Sequence, residues 1–162
     1  MKILVNIFGS TGDLSARKLL PALTELKKKS YDIHILAIGR RPFDTLGYLS
    51  FMQEKTNVHL DIETLSNMVT YVDMQMTQSE DYDKLYDAQK PFLSKDTKRL
   101  YYMAVGPEYF EVISQALYDK VLIRYNDVHD IVAFEKPFGE DLLSAQRINQ
   151  LLSKYFTERQ MF

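Results

Sequence analysis

Apolar positions along the chain come in two kinds of run that take turns. Lys2-Ile3-Leu4-Val5-Asn6-Ile7-Phe8 is apolar at nearly every position and rich in branched side chains. That predicts a strand buried on both faces, closed by Gly9. From Asp13 to Lys29 the spacing changes: Leu14, Leu19, Leu20, Leu23 and Leu26 recur with helical period. Pro21 lies inside that pattern and predicts a kink or a late helix start. Ile33 to Gly39 reads as a second strand and Phe43 to Lys55 as a second helix. Asn67 to Met74 gives a third strand, followed by a polar, tyrosine-bearing helix from about Glu80 to Leu93. Lys98 to Val105, a proline-opened helix from Pro107 to Tyr118, and the strand Asp130 to Phe134 continue the series. A last helix runs from about Leu142 to Tyr155, and Gln160-Met161-Phe162 begins a sixth strand.

Strand and helix thus alternate about five times, at spacings of roughly 25–35 residues, which calls for right-handed crossovers between parallel strands. The expected fold class is α/β: a Rossmann-type, doubly wound, mostly parallel sheet in three layers. No repeat, linker or low-complexity tract divides residues 1–162, so one domain is expected. A chain that is 46% apolar and 26% charged can bury a packed core. Its net charge of −2 asks for neither nucleic acid nor an anionic membrane as partner. With no cysteine there is no disulfide, thiolate metal site or cysteine nucleophile. No apolar run approaches the ~20 residues of a membrane span. The first residues lack a signal-peptide layout, and a cytoplasmic enzyme domain is expected.

Candidate chemistry sits in the turn after the first strand. Phe8-Gly9-Ser10-Thr11-Gly12-Asp13-Leu14-Ser15 joins strand to helix where dinucleotide sites form. Gly9 suits a tight turn, and Gly12 lets the backbone approach a pyrophosphate with no Cβ in the way. Ser15 is small enough for helix to pack on strand, and the helix's first amides then face the phosphates. By spacing alone, G-x-x-G-x-x-S also fits an ordinary turn. The tip of the second strand selects between dinucleotides. It reads Ala37-Ile38-Gly39-Arg40-Arg41-Pro42, with no acid for the ribose hydroxyls before Asp44. A guanidinium offers a 2′-phosphate a planar fork, so NADP is favoured over NAD, although paired arginines after a strand are also common surface charge.

Three segments together resemble the glucose-6-phosphate dehydrogenase family: Phe8 through Leu14 continuing to Arg17-Lys18-Leu19-Leu20-Pro21, Arg99-Leu100-Tyr101-Tyr102-Met103-Ala104, and Glu135-Lys136-Pro137-Phe138-Gly139. They are similar to that family's G-A-S-G-D-L-A-K-x-K, R-L-F-Y-L-A-L-P-P and E-K-P-F-G, in the same order. The resemblance implies that Gly9, Ser10, Thr11, Gly12, Asp13 and Leu14 cradle the phosphates of NADP and that Arg40 takes the 2′-phosphate. It implies that Tyr102 lines the nicotinamide side, and that Lys136 touches both the cofactor and the substrate, glucose 6-phosphate. Lys18 matches a lysine of the family's first helix without an assigned role here. Pro137 restrains the backbone at Lys136 in either peptide isomer. Where the family has L-P-P this chain has Val105-Gly106-Pro107, which removes a rigid residue near the nicotinamide.

The family's sugar-phosphate clamp, R-I-D-H-Y-L-G-K, and the catalytic domain with its base histidine are expected beyond this chain. The resemblance therefore implies the N-terminal coenzyme domain of an NADP-dependent enzyme that oxidises D-glucose 6-phosphate to the lactone. His34, His59 and His129 are expected to be structural or solvated, so no catalytic residue is placed in this chain and no metal is implied. Cofactor binding without turnover is the expectation, and exposed apolar surface makes homo-oligomers conceivable. A short-chain reductase is a rival reading, but its Tyr-x-x-x-Lys would be Tyr86-x-x-x-Lys90, which falls before the fourth strand and abuts Pro91. A stand-alone NADP-sensing or interaction module is the other.

Overall fold

The computed structural model describes residues 1–136 and 138–162; Pro137, and with it the question of its peptide isomer, lies outside them. Strands β1 (Lys2–Phe8), β2 (Asp32–Gly39), β3 (Val69–Asp73), β4 (Lys98–Met103) and β5 (Asp130–Phe134) form a sheet in the order β3-β2-β1-β4-β5. All four neighbouring pairs are parallel. Helices α1 (Leu20–Lys28), α2 (Thr45–Lys55) and α3 (Ile62–Met68) belong to one layer, and α4 (Tyr82–Gln89), α5 (Phe110–Asp119) and α6 (Leu142–Leu152) to the other. This is the three-layer, doubly wound α/β fold the alternating pattern predicts.

The near-continuous apolar runs of β1 and β2 follow from burial on both faces. Leu4 and Phe8 of β1 join Tyr82, Leu85 and Ile113 of the second helix layer, whereas Val5 and Ile7 join Leu20, Leu49 and Leu65 of the first. Fully burying one such side chain contributes about 1.5–3 kcal/mol, and a one-residue slip would exchange the two sets, so the register is pinned. Open edges are managed as well. On the outer strand β3, the Tyr71 amide donates to Thr45 Oγ1 at the start of α2 (3.0 Å), which blunts that edge. On the other side Met161 bridges Val132, Phe162 N donates to Val132 O (2.9 Å) and Phe134 N to Phe162 O (2.8 Å). Of the sixth strand expected over Gln160–Phe162, Gln160 instead ends a 3₁₀ turn (Glu158–Gln160), and only Met161 and Phe162 pair with β5, through an isolated bridge.

Pro21 acts as anticipated. Ser15–Leu19 is wound as a π-helical turn, and the regular α-helix begins only at Leu20, with Pro21 in its first turn. Proline has no N–H to donate, and in α geometry its ring would press on the carbonyl four residues back; the wider turn relieves both problems. One expectation needs correction. Asn67 and Met68 belong to α3, and the strand starts at Val69. Asp61 caps that helix by accepting from the Thr64 amide (3.0 Å), and Leu65 and Met68 are buried by it. The helix expected over Glu80–Leu93 is the shorter α4, flanked by 3₁₀ turns at Ser79–Asp81 and Lys90–Phe92. Pro91 opens the second of these, which ends the α-helix ahead of it.

Candidate functional site

In a sheet of this order the chain leaves β1 toward β2 on one side and later returns to β4 on the other. The loops after β1 and β4 therefore part and leave a crevice at the C-terminal edge of the sheet. Gly9 opens the first loop with φ +74°, a conformation L side chains rarely adopt. A Cβ there would also overlap the Ala104 carbonyl and lie 2.9 Å from Val105 Cγ1. The bend consequently sits directly against the end of β4. Its own closure comes from Gly12 N donating to Gly9 O (3.1 Å), while a Cβ on Gly12 would meet only Gly9 O, at 3.2 Å. Beyond Gly12 the space is open, as a ligand lying on bare backbone requires.

The six residues of the bend divide into those that face the crevice and those that hold it in shape. Ser10 is wholly buried; its amide donates to Ile38 O (3.0 Å) and its carbonyl accepts from the Tyr48 hydroxyl (3.0 Å). It anchors the bend to β2 and α2 from inside. The hydroxyls of Ser10 and Ser15 are buried without a partner among the described residues. The amides of Thr11, Asp13 and Leu14 have no acceptor among them either, so three donors stand at the start of the helical segment where its dipole is positive. Thr11 Cγ2 lies 3.1 Å from where a Cβ on Gly39 would be, which places the bend beside the tip of β2. The Asp13 side chain pairs with Arg17 (2.7 Å) across one helical turn.

At that tip the two arginines differ. Arg41 lies over the Phe51 ring, 4.7 Å from its centre, and its carbonyl accepts from the Tyr71 hydroxyl (2.9 Å). Arg40 is exposed, and its guanidinium has no ion pair or hydrogen bond among the described residues. The nearest acid in sequence, Asp44, is taken up in capping α2, where it accepts from Gly47 N (2.7 Å). The strand tip is thus basic.

Tyr102 and Lys136 stand on the β4–β5 side of the crevice. The Tyr102 hydroxyl donates to the Glu135 carboxylate, and half-burial, reinforced by that carboxylate, pushes the phenol up to about 12. Lys136 is exposed beside Phe134, Phe138, Met161 and Phe162, an apolar wall. Sequence reasoning missed two contributors: Glu135, recognisable only as part of its motif, and Tyr48, whose hydroxyl steadies the bend from 38 positions away. None of the three histidines is at this edge. His34 stacks on Phe92 and contacts Thr70 in the first half of β2, His59 lies between α2 and α3, and His129 just precedes β5. Tyr86 lies in α4 and Lys90 in the 3₁₀ turn that follows it, with Lys90 drawn to Asp87 (2.8 Å) and over the Tyr86 ring. A depression of about 450 Å³ between α1 and the α2–α3 connection lies away from the crevice, and its Lys28 is held by Asp61 (3.0 Å) and Glu25 (3.4 Å).

A crevice at the switch point, floored by exposed backbone donors, defines a dinucleotide-binding domain of the Rossmann class. The family model described as "Glucose-6-phosphate dehydrogenase, NAD binding domain" matches residues 6–162, and the chain belongs to that family. It is 32% identical to the glucose-6-phosphate 1-dehydrogenase of Rhizobium meliloti, over 96% of this chain and 33% of the relative. The enzyme of the same name from Mycolicibacterium smegmatis is also 32% identical, over 96% of this chain and 34% of the relative. Among solved structures, glucose-6-phosphate 1-dehydrogenase from Mycobacterium avium superposes with a TM-score of 0.82 at 26% identity, over 99% of this chain and 35% of the other. A glucose-6-phosphate dehydrogenase in complex with its substrate glucose-6-phosphate gives 0.83 at 25% identity, over 99% and 36%. The chain spans about a third of the length of these relatives. No helix among the described residues is long and apolar enough to cross a membrane.

Proposed function

We propose that this chain holds NADP, as the coenzyme-binding part of an enzyme that oxidises D-glucose 6-phosphate to the lactone. The observation that carries the choice of dinucleotide is the unpaired Arg40 at the tip of β2, with the nearest acid in sequence already engaged in capping α2. In this reading the amides of Thr11, Asp13 and Leu14 and the positive end of the helical segment hold the diphosphate. Gly9 and Gly12 keep side chains out of its way, Ser10 fixes the bend from beneath, and Arg40 binds the 2′-phosphate. Tyr102 walls the nicotinamide half, steadied by Glu135. Lys136 reaches both cofactor and sugar phosphate, an assignment supported by the E-K-P-F-G match and by its exposure at the tip of β5. When bound, the dinucleotide supplies the hydride acceptor.

A substrate hydroxyl must also lose its proton to a base within hydrogen-bond reach. His34 and His129 stand toward the opposite end of the strands and His59 lies outside the sheet. The chain alone is therefore expected to bind coenzyme without oxidising glucose 6-phosphate.

Titration calorimetry with NADP⁺ and NAD⁺, on the wild type and Arg40→Ala, tests the reading. A charge-assisted hydrogen bond contributes about 1.5–3 kcal/mol, so the substitution is expected to weaken NADP⁺ binding by roughly ten- to hundredfold and to leave NAD⁺ unchanged. If both dinucleotides bind alike and the substitution alters neither, the 2′-phosphate assignment is wrong.

A further inference from the structure

We propose that Glu108 makes this chain prefer the oxidised over the reduced dinucleotide, by holding a carboxylate against the nicotinamide half of the crevice. The inference rests on the reading of the crevice as a dinucleotide site. With Arg40 marking the adenosine end at β2 and the bend after β1 holding the diphosphate, the rest of an extended dinucleotide must run over β4. The loop that follows β4 is Ala104-Val105-Gly106-Pro107-Glu108, and its first two residues touch Gly9.

Within that loop Gly106 leaves a gap, and Glu108 fills it. A Cβ built on Gly106 would overlap the Glu108 carboxylate, 2.5 Å from Oε1 and 2.6 Å from Cδ. The carboxylate is thus folded back over the glycine, in the loop that follows the two residues touching Gly9. Glu108 is exposed and has no ion pair or side-chain hydrogen bond among the described residues. Three other acids around the crevice are engaged: Asp13 by Arg17, Glu135 by the Tyr102 hydroxyl, Asp44 as a helix cap. Lys136, one strand further on, is the cation on the same side. Glu108 and Arg40, neither ion-paired among the described residues, then put charges of opposite sign on the two halves of the crevice. The oxidised dinucleotide carries the matching pattern, a phosphate on its adenosine and a positive nicotinamide ring; reduction removes only the positive charge. Unit charges a few ångströms apart in wet surroundings change binding by about fivefold.

Affinities of the chain for NADP⁺ (by calorimetry) and NADPH (by fluorescence), for wild type, Glu108→Gln, Gly106→Ala and Arg40→Ala, test this. Gly106 has φ −64°, so alanine is allowed there, and its Cβ must push the carboxylate aside without removing the charge. Both Glu108→Gln and Gly106→Ala are expected to lower the NADP⁺-to-NADPH affinity ratio about fivefold. Arg40→Ala should weaken both forms together and keep the ratio. If the ratio is unmoved by the first two variants, and only the melting temperature changes, Glu108 merely caps the turn that opens α5 and the inference is wrong. If the wild type binds neither form, the reading of the crevice fails, and the inference falls with it.

Discussion

Gly9 carries two constraints at once, a left-handed backbone and a Cα pressed against the Ala104 carbonyl. Gly9→Ala is expected to destabilise the fold by about 2–5 kcal/mol, from the backbone penalty and the overlap together, as urea unfolding would measure. An unchanged midpoint would mean the bend is not built this way. His34 supplies the pH-dependent counterpart. Burial first, then Lys27 and Lys2, push its imidazole from 6.5 down to about 4. The unfolded chain takes up this proton near pH 6.5 and the folded chain only near 4, so stability is lost as pH falls through that window. His34→Phe is expected to flatten the dependence of the melting temperature on pH between about 6.5 and 4; an unaltered slope contradicts the assignment. At this scale the sequence already displays the glycines and the arginines. It does not display that the Ser10 amide is engaged by Ile38, or that Phe51 draws Arg41 away, because both depend on neighbours the fold supplies.

Helix boundaries were legible where a single residue decides them. Pro21 is tolerated only in the first turn of a regular helix, and the π-helical turn ahead of it lets α1 begin there. The short α3 was missed because seven residues give too little period to stand out from a connection, although Asp61 and the spacing of Ile62, Leu65 and Met68 mark it. The C-terminus of α5 shows what pattern reading does not expect. Leu122 N donates to Leu117 O (2.9 Å) and Val121 N to Tyr118 O (3.0 Å), a Schellman closure with Val121 at φ 54°. Glycine is the usual residue there, since a left-handed L residue costs about 1–2 kcal/mol. Val121→Gly is therefore expected to raise stability by about 1 kcal/mol, less what glycine adds to the entropy of the unfolded chain. A loss of stability on chemical denaturation would show instead that this exposed valine makes contacts that matter.

The alternation of strands and helices foretells parallel pairing but not strand order, and the strand order makes the site. Only when β1 lies between β2 and β4 do Thr11, Arg40 and the Gly106 loop border one crevice, and only when β5 flanks β4 does Tyr102 reach Glu135. The buried Arg99–Asp130 pair (2.5 and 2.6 Å) joins the same two strands at the opposite end and fixes how their tips align. The account as a whole claims that one dinucleotide lies across the tips of β2, β1 and β4. Backbone NMR of the chain titrated with NADP⁺ tests this most directly. The largest amide shifts are expected at Thr11, Gly12, Asp13 and Leu14, with Arg40 and the Val105–Gly106 loop moving at the same midpoint. Shifts confined to the depression around Lys28 and His59, with the glycine bend unmoved, would contradict it.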